Sequence, residues 1–153
     1  MAAKKKTRAA SGIAAARKSR RDESAERHRV RREQHETEAA QDYCEAIAEF
    51  LDAGVEARVG RIAERFGLSH VTVSRVVRRL AAEGFVIARA HQPLGLTARG
   101  KALAAEARRR HELVLAFLVA LGVDRRTAEL DAEGIEHHVS PATLRAMARH
   151  LGR

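Results

Sequence analysis

The fold of this chain is decided by residues 58–90, which read RVGRIAERFGLSHVTVSRVVRRLAAEGFVIARA. Apolar residues recur at helical spacing on either side of the turn Gly67-Leu68-Ser69, so this stretch predicts two helices. The first covers residues 58–66 and the second residues 70–83. The serine of the turn is well placed to cap the second helix, and Gly84 is placed to end it.

A short β-hairpin is predicted directly after the second helix. Residues 85–89 form one strand, the segment around Pro93 a turn, and residues 94–97 a returning strand. Helix, turn, helix and hairpin in this order are the layout of a winged helix-turn-helix. Thr97 then caps a long helix over residues 98–121.

Helices before and after this motif make the predicted fold mainly α. An amphipathic helix over residues 38–53 has an apolar side formed by Tyr43, Ile47, Phe50 and Leu51. Two more helices, over residues 124–138 and 141–150, complete the chain. Aromatic residues make up only 3% of the sequence, so the core must be built from Ala, Leu, Val and Ile, which favours closely packed helices.

The net charge of +9 is unevenly distributed along the chain. It is +7 over residues 1–36, −6 over residues 37–57, +7 over residues 58–101 and +1 over residues 102–153. The first block lacks an apolar period, so we expect a disordered basic extension. The basic blocks indicate an anionic polymer as partner, whereas the acidic block is either a solvated helix face or a cation site.

Several classes of protein are disfavoured by the composition. The single cysteine, Cys44, excludes an internal disulfide and an all-cysteine metal site, and we interpret it as a packing residue. No stretch of eighteen apolar residues is present, and the basic N-terminus has no apolar signal core. We therefore expect a cytoplasmic protein without a membrane partner.

The second helix of the motif has an outward face suited to double-stranded DNA. Thr and Val side chains near its start can contact thymine methyl groups, and arginine can donate to guanine or to phosphate. The predicted DNA-contacting residues are Ser69, His70, Val71, Thr72, Arg75, Arg78, Arg79 and, in the wing, Arg89. The alternative is a merely solvated basic face, but the turn, cap, wing and +7 block together favour DNA binding.

Hard metal ligands recur at helical spacing outside the motif. Glu133, Glu136 and His137 stand at i, i+3 and i+4, and would share one face of a helix. Asp42 and Glu45 stand at i and i+3, and His111 lies on the long helix. Gly134 within this segment suggests a close backbone approach, because glycine is otherwise unfavourable in a helix.

Four carboxylates and two imidazoles without a thiolate suit Mn²⁺, Fe²⁺ or Mg²⁺, and the imidazoles favour the transition metals. Six ligands exceed what one ion needs beside water, so two ions bridged by carboxylates are a possible arrangement. Taken separately, Asp42 and Glu45 could be exposed helix charges and His111 a core histidine. The spacing alone does not establish that the three helices meet.

Three motifs together resemble the diphtheria toxin repressor family, also called the iron-dependent repressors, in its manganese transport regulator branch. They are DYCEAI (residues 42–47), RHEL (residues 110–113) and DAEGIEHHVS (residues 131–140), and the similarity extends over about residues 37–150. The resemblance implies three parts: the basic extension (1–36), a winged helix-turn-helix DNA-binding domain (37–101) and a helical metal-binding and dimerisation domain (102–153).

The family's ligand pattern falls on Asp42, Glu45, His111, Glu133, Glu136 and His137. Iron-sensing relatives usually carry Met and Cys at the first and fourth of these positions, so the resemblance implies Mn²⁺ and leaves Fe²⁺ open. With six ligands, we expect about two ions per subunit. It also implies a homodimer on a palindromic operator that represses manganese uptake genes. Candidates for the dimer surface are Phe117, Leu118 and Leu121.

Three other functions compete with this interpretation. An iron-responsive regulator of the same family would use the same site. A metal-independent, nucleoid-type DNA-binding protein would draw its affinity from the basic extension. A metal-dependent hydrolase would use paired carboxylates to activate water, but the sequence contains no nucleophile motif and no phosphate-binding loop, so we expect no enzymatic activity.

Overall fold

The computed structural model describes residues 35–152, so the predicted disordered extension over residues 1–36 lies outside the described residues except for its last two positions. Those two positions are helical and belong to α1, residues 35–52, which therefore includes residues ahead of its predicted start. Five further α-helices follow in the described chain: α2 (Val59–Phe66), α3 (His70–Ala82), α4 (Ala98–Ala120), α5 (Arg125–Ile135) and α6 (Pro141–His150).

A two-stranded antiparallel sheet separates α3 from α4. The strands are β1 (Val86–Ile87) and β2 (Gly95–Leu96). They are shorter than the predicted strands, residues 85–89 and 94–97. Just before β2, the backbone N–H of Leu94 donates to the carbonyl of Ala57 at 2.7 Å. The hairpin is therefore attached to the connection between α1 and α2.

Side-chain caps start most of the described helices. The N-cap side chain accepts a hydrogen bond from the backbone N–H three residues later in α3, α4, α5 and α6, with Ser69, Thr97, Asp124 and Ser140 as the caps. Each cap satisfies one of the N–H groups that a helix start leaves without an intrahelical partner. These caps place the helix starts where the sequence predicts them.

Most of the largest fully buried side chains lie where α1, α2 and α3 meet, and include Ile47, Ile62, Val73 and Leu80. Cys44 is also fully buried, which confirms its interpretation as a packing residue. Leu51 was expected on this apolar side but is 41% exposed, because it lies in the last turn of α1, beyond the core.

α4 extends from the hairpin to the C-terminal helices. Its first half packs against β2, and it also packs against α5 and α6. A 3₁₀ turn over Glu136–His138 connects α5 to α6 and also contacts α4. Within residues 35–152, no helix is both long and apolar enough to cross a membrane.

Candidate functional site

Glu136 lies at the centre of the predicted ligand set. It begins the 3₁₀ turn after α5, and its side chain is only 5% exposed. Its Oε2 atom lies 2.8 Å from Nδ1 of His111, which α4 contributes. The two residues are 25 positions apart in sequence, so only the packing of α4 against the turn brings them together.

His137 brings a second imidazole to the same place, beside α1. Its Nε2 atom lies 3.4 Å from Oδ1 of Asp42 and 3.5 Å from Oε1 of Glu136. Its other ring nitrogen, Nδ1, lies 3.1 Å from the amide Oε1 of Gln41. The imidazole of His137 therefore contacts two adjacent residues of α1, one at each nitrogen.

Arg110 fixes the turn that carries these groups. Its guanidinium donates to the backbone carbonyls of Glu136 at 2.7 Å and of Val139 at 3.3 Å. These bonds satisfy carbonyl groups that the end of α5 leaves without helical partners. The geometry of the 3₁₀ turn is thus held from α4, one residue before His111.

The other two predicted ligands, Glu45 and Glu133, line an open cavity of about 470 Å³ that Asp42, His111 and His137 also line. Glu133, on α5, is 72% exposed and places Oε1 3.8 Å from Nδ1 of His111. Glu45, on α1, is half-buried. The other polar residues of the cavity wall are Glu38, Asp42, Glu49, Arg65, His111 and His137.

The carboxylates of this site lie in an unfavourable electrostatic environment. Burial raises the pKa of Asp42, Glu45 and Glu136 above their ordinary values. Repulsion from neighbouring carboxylates raises these pKa values further, whereas His111 and His137 lower them. A positive charge among these groups would relieve both the burial penalty and the repulsion.

The donor set fits a hard divalent cation, although the side chains are not arranged around one. Among residues 35–152, no group of three or more His, Cys, Asp or Glu side chains is positioned to hold a metal ion. The nearest donor atoms are instead in hydrogen-bonding contact with each other, as in the His111–Glu136 pair. Cys44 does not line the cavity, and its burial raises the pKa of its thiol to about 11.

The structure departs from the sequence prediction in how it presents the ligands. The helix predicted through His138 ends at Ile135, and a 3₁₀ turn carries Glu136 and His137. Glu133 and Glu136 nevertheless both approach Nδ1 of His111. The expected close approach at Gly134 is wrong, since an added Cβ would meet no atom within 4 Å.

Three neighbours of the site were missed by the sequence reasoning. They are Gln41, Arg110 and Glu38. The first could have been noticed as a polar residue on the buried side of an amphipathic helix. The contacts of Arg110 with backbone carbonyls have no signature in the sequence.

The predicted DNA-contacting residues lie mainly at the exposed start and outer side of α3. His70, Val71, Arg75 and Arg78 are exposed, and Val71 is 69% exposed despite being apolar. Thr72 and Arg79 are half-buried. Ser69 is engaged as the cap of α3, and Arg89 is exposed in the hairpin.

The predicted dimer-surface residues lie at the C-terminal end of α4 and just beyond it. Phe117 and Leu118 are half-buried, and the ring of Phe117 packs edge-on against His150 at 5.4 Å. Leu121 is 57% exposed. Leu130 on α5 is 70% exposed, and the sequence reasoning had not singled it out.

Comparison with known families gives two matches that together cover most of the chain. The model of the iron-dependent repressor N-terminal DNA-binding domain matches residues 35–93. The model of the iron-dependent repressor metal-binding and dimerisation domain matches residues 97–153.

Named relatives are similar over most of their length. The chain is 42% identical over 125 residues to the transcriptional regulator MntR of Escherichia coli O6:H1, covering 82% of this chain and 81% of that protein. It is 36% identical over 104 residues to the HTH-type transcriptional regulator MntR of Bacillus velezensis, covering 68% and 73%.

Solved structures have a similar fold. A manganese-dependent transcriptional repressor in complex with manganese is 34% identical, with a TM-score of 0.64, and the match covers 74% of this chain and 52% of that one. The manganese regulator SloR is 28% identical, with a TM-score of 0.65, and the match covers 74% and 53%. The chain thus spans about half the length of these two structures.

Proposed function

The chain belongs to the iron-dependent repressor family, and from this premise we propose that it is a manganese-responsive transcriptional repressor that binds DNA when Mn²⁺ occupies its carboxylate–imidazole site. One observation carries the proposal. Carboxylates and imidazoles from α1, α4 and the turn after α5 converge on a single cavity, although they are far apart in sequence. The proposed ligands are Asp42, Glu45, His111, Glu133, Glu136 and His137.

The choice of manganese rests on the donor types and on the relatives. Hard carboxylate oxygens with two imidazoles suit Mn²⁺ and Fe²⁺ better than softer ions. The similar regulators and structures are named for manganese. We propose about two Mn²⁺ ions per subunit, since six side chains offer more donors than one ion requires. Fe²⁺ is the alternative ion, so a metal titration must compare its effect with that of Mn²⁺.

The positions of the proposed ligands on different elements explain how metal binding would control DNA binding. Asp42 and Glu45 belong to α1, which packs in the core of the helix-turn-helix. His111 and His137 belong to α4 and to the turn that packs on it. A bound cation would supply positive charge that joins these elements. Without it, repulsion between the clustered carboxylates favours their separation.

We propose that residues 37–101 bind DNA and residues 102–153 form the metal-binding and dimerisation part. A homodimer on a palindromic operator would place its two α3 helices about one DNA turn, roughly 34 Å, apart. Phe117, Leu118 and Leu121 are proposed to lie at the dimer surface. The cytoplasm is the compartment in which such a regulator would act.

A binding role without catalysis is proposed, because the family is one of transcriptional repressors. The competing hydrolase function predicts that phosphodiester hydrolysis follows Mn²⁺ and disappears in Glu136→Gln. The proposed function predicts no hydrolysis above the background rate of Mn²⁺ in buffer.

The proposal is tested by fluorescence anisotropy with a labelled duplex selected in vitro for binding to the Mn²⁺-loaded protein. The protein is titrated into this duplex with EDTA, Mn²⁺, Fe²⁺ or Mg²⁺ at one salt concentration. We expect tight binding with Mn²⁺ and weak binding with EDTA. Equal binding in EDTA would contradict the switch and leave a metal-independent DNA-binding protein, while stronger activation by Fe²⁺ would identify an iron-responsive regulator.

A further inference from the structure

Gln41 is a buried polar residue without a role in the proposed ligand set. It is 6% exposed, and apart from Glu136 it is the only buried polar or charged residue among residues 35–152. Its amide Oε1 lies 3.1 Å from Nδ1 of His137, although the two residues are 96 positions apart in sequence. Burying an amide costs free energy unless it is hydrogen-bonded, so the contact with His137 explains why Gln41 can be buried.

The chemistry of this contact fixes which nitrogen of the ring carries a proton. An amide oxygen only accepts hydrogen bonds, so Nδ1 of His137 must be the donor. The opposite nitrogen, Nε2, then faces Oδ1 of Asp42 at 3.4 Å and Oε1 of Glu136 at 3.5 Å. A metal-binding imidazole needs this arrangement, in which one nitrogen is free for the cation and the other donates to a fixed acceptor.

We propose that Gln41 is a positioning residue, whose amide oxygen holds the Nδ1 proton of His137 and thereby presents Nε2 to the metal site. This inference rests on the proposed function for the identity of the site. It adds that α1 contributes an orienting group next to the ligand Asp42. Two consecutive residues of α1 thus determine the orientation of one imidazole on the turn after α5.

The amide also suits the charge of its surroundings. The cavity wall already contains the carboxylates of Glu38, Asp42, Glu45, Glu49 and Glu133. A neutral acceptor at position 41 orients the ring without adding a further negative charge near them. A methionine of similar length would fill the space but offer no comparable acceptor.

The test compares Gln41→Met with Gln41→Glu and with a matched control, Gln92→Met, at an exposed position of the hairpin. Binding of Mn²⁺ is measured from the electron paramagnetic resonance signal of the free ion. We expect Gln41→Met to weaken Mn²⁺ binding about 10- to 100-fold, the usual effect of removing such an orienting partner. Gln41→Glu, which retains an acceptor, should bind Mn²⁺ at least as tightly as the unchanged protein, and the control should be unaffected.

A second measurement, by NMR, determines which nitrogen of the His137 ring carries the proton and which binds the metal. It is made on the metal-free protein and on the protein with Zn²⁺ as a diamagnetic probe. Long-range ¹H–¹⁵N spectra of His137, assigned from its loss in His137→Asn, should show the proton on Nδ1 in the unchanged protein. That signal should broaden or disappear in Gln41→Met and persist in Gln41→Glu. Retention of the Nδ1 proton signal in Gln41→Met, or attachment of Zn²⁺ to Nδ1 in the unchanged protein, would overturn the inference.

These measurements separate the two proposals. If the unchanged protein binds no Mn²⁺, the proposed function fails, while the metal-free spectra still decide whether Gln41 holds the Nδ1 proton. If Mn²⁺ binds tightly and Gln41→Met binds it equally well, the proposed function stands and the role of Gln41 is refuted. Far-UV circular dichroism of each variant establishes that a loss of Mn²⁺ binding does not reflect loss of the helical fold.

Discussion

At the scale of single residues, the charged groups proposed to bind the metal destabilise the metal-free fold. Glu136 is 5% exposed and contacts His111 at 2.8 Å and His137 at 3.5 Å. Only the two imidazoles offset the penalty that burial imposes on its charge, and their attraction depends on their being protonated. The metal-free fold therefore carries an electrostatic cost at this position, which a bound cation would remove.

The electrostatic penalty at Glu45 predicts that one substitution stabilises the metal-free protein and reduces the stabilisation that Mn²⁺ gives. Glu45→Gln removes a half-buried carboxylate whose pKa is raised by burial and by Glu136. We expect it to increase the stability of the metal-free protein by about 0.5 to 1 kcal/mol, a rise in Tm of about 1 to 4 °C. The rise in Tm that Mn²⁺ produces should shrink or disappear. Differential scanning calorimetry measures both quantities.

The control for this substitution is Glu106→Gln, at an exposed position of α4. It makes the same chemical change away from the cavity and should alter neither Tm nor the response to Mn²⁺. A lower Tm of the metal-free Glu45→Gln protein, together with a normal response to Mn²⁺, would show that this carboxylate is a structural group and not a ligand.

The raised pKa values also predict how pH affects the site. In the metal-free protein, stability contributed by protonated Asp42, Glu45 and Glu136 is fully present below their ordinary pKa values of 3.8 to 4.5 and is lost as pH rises through the raised values. Binding of Mn²⁺ requires the deprotonated groups. As pH falls from neutrality toward those ordinary values, we therefore expect Mn²⁺ affinity to fall while these carboxyls stabilise the metal-free fold. Titrations and calorimetry across this range test the opposed trends, and an affinity independent of pH would contradict them.

At the scale of secondary structure, the sequence predicts the helices well and the irregular segments poorly. The helix starts are set locally, by caps such as Ser69 and Ser140 that act over three residues. The end of α5 depends on a distant residue, since Arg110 donates to the carbonyls of the following turn. The 3.6-residue period therefore extended the helix through His138, where the structure has a 3₁₀ turn.

Among the described glycines, Gly100, at the junction between the hairpin and α4, leaves the least room for an added side chain. A Cβ at Gly100 would lie 2.1 Å from the carbonyl oxygen of Phe85 and 3.1 Å from Cδ2 of Leu96. That carbonyl also accepts from the backbone N–H of Thr97 at 3.0 Å, so it has little freedom to move. We expect Gly100→Ala to destabilise the protein by about 2 to 4 kcal/mol. Chemical denaturation of the metal-free protein measures this change.

Gly134→Ala provides the matched control, because the same methyl group would meet no atom within 4 Å in α5. Alanine is favoured over glycine in a helix, so this variant should be more stable by about 0.5 to 1 kcal/mol. Two glycines in helices are thus expected to respond to the same substitution with opposite signs. Equal destabilisation by both substitutions would refute the packing argument at the junction.

At the scale of the whole molecule, the proposed ligands depend on contacts that sequence spacing cannot reveal. Asp42 and His137 come within 3.4 Å only because α1 and the turn after α5 both contact α4. Spacing identified the ligand types, and the resemblance assigned them to one site. Neither identified Gln41, whose contact with His137 links the two ends of the described chain.

The basic N-terminal segment predicts a separable contribution to DNA affinity. Residues 1–36 carry a net charge of +7, so they can release counterions from any DNA sequence. Deleting residues 1–34 should weaken binding to the selected duplex and to a scrambled duplex by similar factors, and should flatten the slope of log K against log salt. The ratio of affinities with Mn²⁺ and with EDTA should not change. A fall of that ratio toward one would show that the segment takes part in the metal-dependent switch.

Because metal and DNA are proposed to act on one conformational equilibrium, their effects must be reciprocal. If Mn²⁺ raises DNA affinity by a given factor, DNA must raise the overall Mn²⁺ affinity by the same factor. We expect isothermal titration calorimetry with Mn²⁺, with and without saturating duplex, to give the factor found by anisotropy. Gln92→Met should preserve this equality, since it lies outside the site. Tighter DNA binding without tighter Mn²⁺ binding would mean that the ion acts elsewhere, for instance at the DNA phosphates, and would remove the site between α1 and α4 as the origin of the switch.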